Sequence, residues 1–272
     1  MDTNKLAYGP HISLAGNADP FEAAAVNGYT AVQTHWGNPR SLKAKAAKKK
    51  HLRKKSDPVW VVHACYIAHA AMKPEIAQVT HAHFNTLLRE IAKAGAQHYV
   101  VHVGGTKDRD PDEIAKGIRE TQLAVKDTLE ELAKAETPVH FLVENVANKN
   151  AFNENLEKLA NVTHEPYWGW CLDLAHSNAC GIDWAEVQRV VKVLPPKVAH
   201  INYPGSSFGS GLDRHGWRAA PGPTMTGEAT AAWDKTICLL RDLGVTLISE
   251  GGSNQDSSLD AEVVVVKGIL ES

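Results

Sequence analysis

The sequence predicts a (β/α)₈ barrel on three observations. Eight short apolar runs recur along its 272 residues, helix-like segments separate them, and nearly every run ends on or beside a histidine or a carboxylate. The runs are β-branched and lack clean polar alternation, as expected where both faces of a parallel sheet are buried. Regular exchange of strand and helix favours a closed barrel over an open sheet. Barrels of this type reach such lengths as one unit, so residues 1–272 are expected to form a single catalytic domain.

The strand-like runs at 8–14 and 31–36 come first, followed by VWVVHAC at 59–65, which carries His63. A helix over 74–95 follows. Pro74 suits its first turn, where a missing N–H costs nothing, and Gly95 suits its end. The run at 97–103 carries His102, and a helix over 111–136 opens on Pro111. The run at 139–145 carries Glu144. The run at 168–174 carries Asp173, with His176 three residues further on. After a helix over 183–193, the run at 198–203 carries His200. Residues 204–226, rich in Gly, Pro and Ser, are expected to form one long irregular loop bearing Asp213 and His215. A helix over 227–243, stopped by Gly244, leads to the last run, 245–250, which ends on Glu250.

Composition narrows the class. With 43% hydrophobic and 22% charged residues, the chain resembles an ordinary globular protein. Its apolar stretches are too short to span a bilayer and its start lacks the pattern of a signal peptide, so a cytoplasmic protein without membrane contact is expected. Cys65, Cys171, Cys180 and Cys238 contain no CxxC pair, which argues against a thiolate zinc site and a disulfide framework. The net charge is only −2. Yet Arg40, Lys43, Lys45, Lys48, Lys49, Lys50, Arg53, Lys54 and Lys55 fall in one stretch without an acidic residue, leaving the rest of the chain strongly acidic. Such asymmetry implies an oriented encounter with an anionic partner, for which a polyphosphate backbone is the obvious candidate.

The residues His63, His102, Glu144, Asp173, His176, His200, Asp213, His215 and Glu250 are all of metal-binding type. In a parallel barrel the carboxyl ends of the strands converge on one mouth, so they are expected to meet there. Nitrogen and oxygen donors without sulfur suit zinc, manganese or iron at a hydrolytic centre. Without metal, such a cluster would bury uncompensated like charges. Three divalent ions against four carboxylates would leave net positive charge able to hold a phosphodiester. Clustered metals can generate hydroxide at neutral pH and stabilise a leaving alkoxide.

Taken together, HISLAG (11–16), QTHWGNPR (33–40), HACY (63–66), HVGG (102–105), EN (144–145), CLDLAH (171–176), HIN (200–202), FGSGLDRH (208–215) and ISE (248–250) resemble the endonuclease IV family of zinc-dependent apurinic/apyrimidinic endonucleases. The resemblance implies three Zn²⁺, with Mn²⁺ or Fe²⁺ as alternatives at one or more sites. His63, His102 and Glu144 would hold one ion, and Glu144 would bridge to a second held by Asp173, His200 and Glu250. His176, Asp213 and His215 would hold the third. Glu144 and Glu250 would be the catalytic carboxylates, Glu250 orienting or deprotonating the attacking hydroxide.

The resemblance also implies a substrate. This is double-stranded DNA with abasic sites or blocked 3′ ends, cut 5′ to the lesion in base excision repair. Arg40, Tyr66 and Ile67 would wedge into the duplex, and Lys48, Lys49 and Lys50 would lie against phosphates. A monomer is expected, nucleoid-associated in a cell, or in a host cell or virion if viral. Tyr203 stands where the family usually places an acidic residue, so one supporting contact should differ. The competing expectation is a sugar isomerase or epimerase on the same barrel, which needs fewer metal ligands and no basic run.

Overall fold

In the computed structural model the described residues are 6–12, 19–36, 40–42, 52–54, 56–104, 109–147, 155–163, 165–216, 225–250 and 258–271, with side chains in the last stretch from 265 onward. The elements follow in chain order. They are β1 (Tyr8–Pro10), α1 (Pro20–Val26), β2 (Ala31–His35), β3 (Val59–His63), α2 (Pro74–Ala94), β4 (His98–His102), α3 (Pro111–Lys134), β5 (His140–Glu144) and α4 (Leu156–Val162). The second half comprises β6 (Trp168–Asp173), α5 (Leu174–Cys180), α6 (Trp184–Val193), β7 (Val198–His200), β8 (Tyr203–Pro204), β9 (His215–Gly216), α7 (Gly227–Asp242), β10 (Thr246–Ser249) and α8 (Ser258–Glu271).

Eight parallel strands in the order β1-β10-β7-β6-β5-β4-β3-β2 make the sheet of a (β/α)₈ TIM barrel. The seam between β1 and β2 is joined by Thr30 N–H to Tyr8 O (3.0 Å) and Ile12 N–H to Gln33 O (2.7 Å). Gly9 makes this closure possible: a Cβ there would lie 1.7 Å from the carbonyl oxygen of Ala31. Pro74 and Pro111 open their helices, and Gly95 closes α2 at φ 93°, a left-handed conformation glycine adopts without strain.

Two apolar layers hold the barrel. Between strands and helices, Trp60, Phe84, Tyr99, Phe141, Leu129 and Trp233 are fully buried, each large side chain contributing ~1.5–3 kcal/mol of burial free energy. Inside the barrel, Ala31, Val61, Val100, Leu142, Cys171, Val198 and Ile248 form a second cluster. Successive side chains on a strand point to opposite faces, so two residues further along each strand the same inward direction recurs. Those positions are Gln33, His63, His102, Glu144, Asp173, His200 and Glu250. The apolar plug is therefore the floor on which the polar layer stands.

The structure modifies three expectations. The strands are shorter than the apolar runs. Residues 204–226 are not wholly irregular, because β8 pairs antiparallel with β9 (Tyr203 with Gly216, Pro204 with His215). Gly205 permits that hairpin, since a Cβ would sit 2.6 Å from the His215 backbone. The helices α1, α4, α5 and α8 were not anticipated.

Candidate metal centre

The mouth of the barrel is built around Glu144, which is fully buried at the end of β5. Its Oε2 lies 3.1 Å from His63 Nε2 and 3.6 Å from His102 Nε2, while its Oε1 lies 3.1 Å from His200 Nδ1 and 3.4 Å from His176 Nδ1. His200 Nδ1 also lies 3.5 Å from Glu250 Oε2 and 3.8 Å from Asp173 Oδ2. Asp213 Oδ1 lies 3.2 Å from His176 Nε2 and 3.4 Å from His215 Nε2. Ligand atoms ~2.0–2.2 Å from a tetrahedral ion stand ~3.4 Å from one another. The observed separations match that edge, so the donor set fits metal. Three overlapping groups could each hold an ion: His63, Glu144 and His200; Asp173, His200 and Glu250; and Asp173, His176 and His215.

Surrounding hydrogen bonds fix which ring nitrogen faces the centre. His63 Nδ1 donates to the carbonyl of Ala64 (2.8 Å), which leaves Nε2 for the centre. His200 is reversed. Its Nε2 donates to Gln33 Oε1 (2.9 Å), so Nδ1 is the inward nitrogen. Such outer contacts set the tautomer and basicity of a metal-ligating histidine. Gln33 is completely buried, and its amide nitrogen also donates to Glu250 Oε1 (2.5 Å) and faces His11 Nδ1 at 3.1 Å. Asn202 donates to Asp173 Oδ2 (2.7 Å) and Glu250 Oε2 (3.1 Å), and accepts from the Glu250 backbone N–H (2.9 Å). Asn145 accepts from the Asp173 N–H (2.7 Å) and donates to the Asp173 carbonyl (3.0 Å). Asp173 itself caps α5 by accepting from the His176 N–H (2.7 Å).

Sequence reasoning missed Gln33, Asn145 and Asn202 as supports. The available signal was position: Gln33 is two residues before the end of β2, and each asparagine lies within two residues of a proposed ligand. Tyr203 was expected to alter one supporting contact. It turns outward, its hydroxyl 2.9 Å from Thr230 Oγ1 and its ring edge-on to Trp233 at 5.2 Å. The supporting contact beside His200 comes from Asn202 instead.

The electrostatics suit displacement of protons by cations. Burial pushes the Glu144 carboxyl up, but His200, His102 and His176 overcome it and hold it well below the usual range. Glu250 is held low in the same way, with His200 foremost against its burial. Burial raises Asp173. The imidazoles of His63, His176 and His215 are pulled up against burial by the surrounding carboxylates, and that of His200 by Cys171 first and then by Glu250 and Glu144. His102 goes the other way, to about 4, because burial outweighs Glu144. His35 is pushed down to about 3 by burial, His63 and His11.

Residues 21–246, well over half of the chain, match the AP endonuclease 2 family, described as a xylose isomerase-like TIM barrel. The chain belongs to this family. Endonuclease 4 of Thermus thermophilus is 28% identical over 228 residues, spanning 76% of this chain and 80% of the relative. A crystal structure of endonuclease IV from Thermus thermophilus superposes with a TM-score of 0.77 at 24% identity, over 97% of this chain and 99% of the other. The same fold recurs in IOLI protein with a bound zinc atom, at a TM-score of 0.71 and 14% identity over 98% of each chain.

Around the candidate centre, Tyr66 and Ile67 stand exposed on the loop after β3, at 52% and 47%. That loop is pinned from beneath. Ala70 N–H donates to His102 O (2.9 Å), Ala71 N–H to Val103 O (2.8 Å), and a His69 ring nitrogen to Tyr66 O (2.8 Å). Arg40 is exposed and close enough to act on the Tyr66 hydroxyl, as do Glu250, Asp213 and Glu144. Lys48, Lys49 and Lys50 lie outside the described residues. Phe208 and Leu212, on the segment that carries Asp213, add further exposed apolar surface. Among the described residues no helix is long and apolar enough to cross a membrane.

Proposed function

We propose that the protein is a metal-dependent DNA repair endonuclease that hydrolyses the phosphodiester 5′ to abasic sites and clears blocked 3′ ends. One observation carries this reading: three ligand groups, not one, meet at a single barrel mouth and are linked through Asp173 and His200. A single-ion sugar isomerase or epimerase needs no such shared set. The endonuclease 4 relatives named above support the same reading.

His63, His102 and Glu144 would hold one ion, Glu144, Asp173, His200 and Glu250 a second, and His176, Asp213 and His215 a third, Zn²⁺ fitting best. Bound metals would supply hydroxide at neutral pH and positive charge for the leaving oxygen. Glu144 holds four imidazoles in one arrangement. Glu250, fixed by Gln33 and Asn202, would orient the attacking oxygen and take its proton. Arg40, Tyr66 and Ile67 would fill the gap left by a displaced nucleotide, where the cost of unstacking is lowest because a base is already missing. Lys48, Lys49 and Lys50 would lie along phosphates.

The decisive experiment incubates the protein with a duplex carrying one abasic analogue, with and without chelator, and reads the cut position and end chemistry. Incision 5′ to the lesion with a free 3′-hydroxyl, lost on chelation, is expected. A 3′-unsaturated aldehyde, or no cut with metal supplied, would refute the reading.

A further inference from the structure

Two imidazoles at the mouth, His11 and His35, are assigned to none of the three ions. His35 ends β2 in register with His63, and its ring packs among those of His11 (4.7 Å between centroids), His63 (5.1 Å) and Tyr66 (5.2 Å). No carboxylate lies within ion-pair distance of it among the described residues, whereas every proposed histidine ligand has one as neighbour. His35 is therefore not a tenth ligand.

Its hydrogen bonding gives it a definite polarity. Nδ1 lies 3.3 Å from the backbone oxygen of His63. A carbonyl only accepts, so Nδ1 carries the proton, and Nε2 of the neutral ring is left as a lone pair. That lone pair has no hydrogen-bond partner among the described residues, and the side chain is only partly buried. A phosphate oxygen cannot satisfy it, because both are acceptors. A hydroxyl can. A nucleotide that has lost its base has no base N–H to offer, but its sugar has a hydroxyl.

We propose that His35 is a specificity-determining residue that accepts a hydrogen bond from a sugar hydroxyl of the nucleotide held beside Tyr66. The inference rests on the nuclease reading and adds to it a preference among lesions. Two sugars supply the chemistry: the ring-closed abasic deoxyribose, with its hydroxyl at C1′, and a ribose, with its hydroxyl at C2′. Tetrahydrofuran, the common abasic analogue, has neither.

The test compares single-turnover cleavage, with separate half-saturation and maximal rate, on three duplexes. They carry a natural abasic site, a tetrahydrofuran, and a tetrahydrofuran bearing a 2′-hydroxyl. The metal-loaded wild-type protein should favour one of the hydroxylated sugars over plain tetrahydrofuran by roughly tenfold, as one neutral hydrogen bond predicts, and the favoured duplex identifies C1′ or C2′. His35→Phe should bring that ratio close to one, while His35→Asn, which keeps an acceptor oxygen, should restore part of it. Circular dichroism checks that both variants are folded. Equal cleavage of all three duplexes by the wild-type protein would overturn the proposal without either variant, and so would an undiminished preference in His35→Phe. If no duplex is cut, the nuclease reading fails and takes this inference with it.

Discussion

Replacing Gln33 by methionine separates support of the centre from ligation. Methionine nearly matches the volume and is apolar, so packing at this fully buried position survives while two contacts vanish. His200 Nε2 loses its acceptor at 2.9 Å, and Glu250 loses a donor at 2.5 Å. Hydrogen bonds to charged groups contribute ~1.5–3 kcal/mol each. Rearrangement recovers part of this, and outer contacts of metal ligands are commonly worth ~10–100-fold in affinity or activity. The expected result is therefore a loss of roughly 2 kcal/mol, or about thirtyfold, in affinity at the site containing His200 and Glu250. Competition for zinc against a chromophoric chelator measures it directly, with incision rate at saturating metal as a second readout. Affinity within about twofold of wild type in a folded variant would show that Gln33 does not set the geometry of His200 and Glu250.

Four further outcomes follow from the same geometry. Glu144→Gln should abolish incision while DNA binding persists; unchanged cutting would remove this carboxylate from the chemistry. Zinc uptake near neutral pH should release protons, because His63, His176, His200 and His215 are raised in the metal-free protein; calorimetry in buffers of different ionisation enthalpy should detect this, and zero release would contradict it. By linkage, the raised histidines stabilise the metal-free fold fully below their ordinary value of 6.5 and lose that contribution as pH rises through the raised values. The depressed Glu144 and Glu250 contribute above 4.5 and lose it as pH falls. Denaturant midpoints of chelated protein should therefore fall from pH 6.5 towards alkaline pH, and a rise would reverse the assignment. Neutralising Lys48, Lys49 and Lys50 should flatten the salt dependence of DNA binding, whereas an unaltered slope would return these lysines to an ordinary solvated surface.

The barrel was legible in the sequence because burial on both faces leaves an unmistakable mark: VWVVH, YVVH and FLVE cannot be surface strands. Seven of the nine proposed ligands lie at or just after the end of such a run, with Asp213 and His215 on the loop beyond, and the spacing alone marked them as residues that meet at one mouth. What remained hidden depended on three-dimensional neighbours. Gln33 looks like any polar residue in a strand until the barrel closes and brings it against Glu250, 217 residues further along the chain. Asn145 and Asn202 were visible only as letters beside ligands. Their function appears once Asp173 lies between them. The hairpin of Tyr203–Pro204 with His215–Gly216 escaped notice because two-residue strands in a Gly- and Pro-rich segment carry no periodic signal. Tyr203 was read by position alone, and its true contacts come from α7.

The inward ladder along the strands has a consequence for how such a protein can change. Each reactive side chain on the barrel strands is delivered by counting two residues from the apolar floor, so a single insertion or deletion inside a strand would swap that strand's contribution for its outward neighbour. An insertion in a loop beyond the strand end leaves that count untouched. Lineages can therefore lengthen, shorten or recharge the segments around the mouth while the reactive set stays in place, and new substrate preferences can be tried without rebuilding the centre.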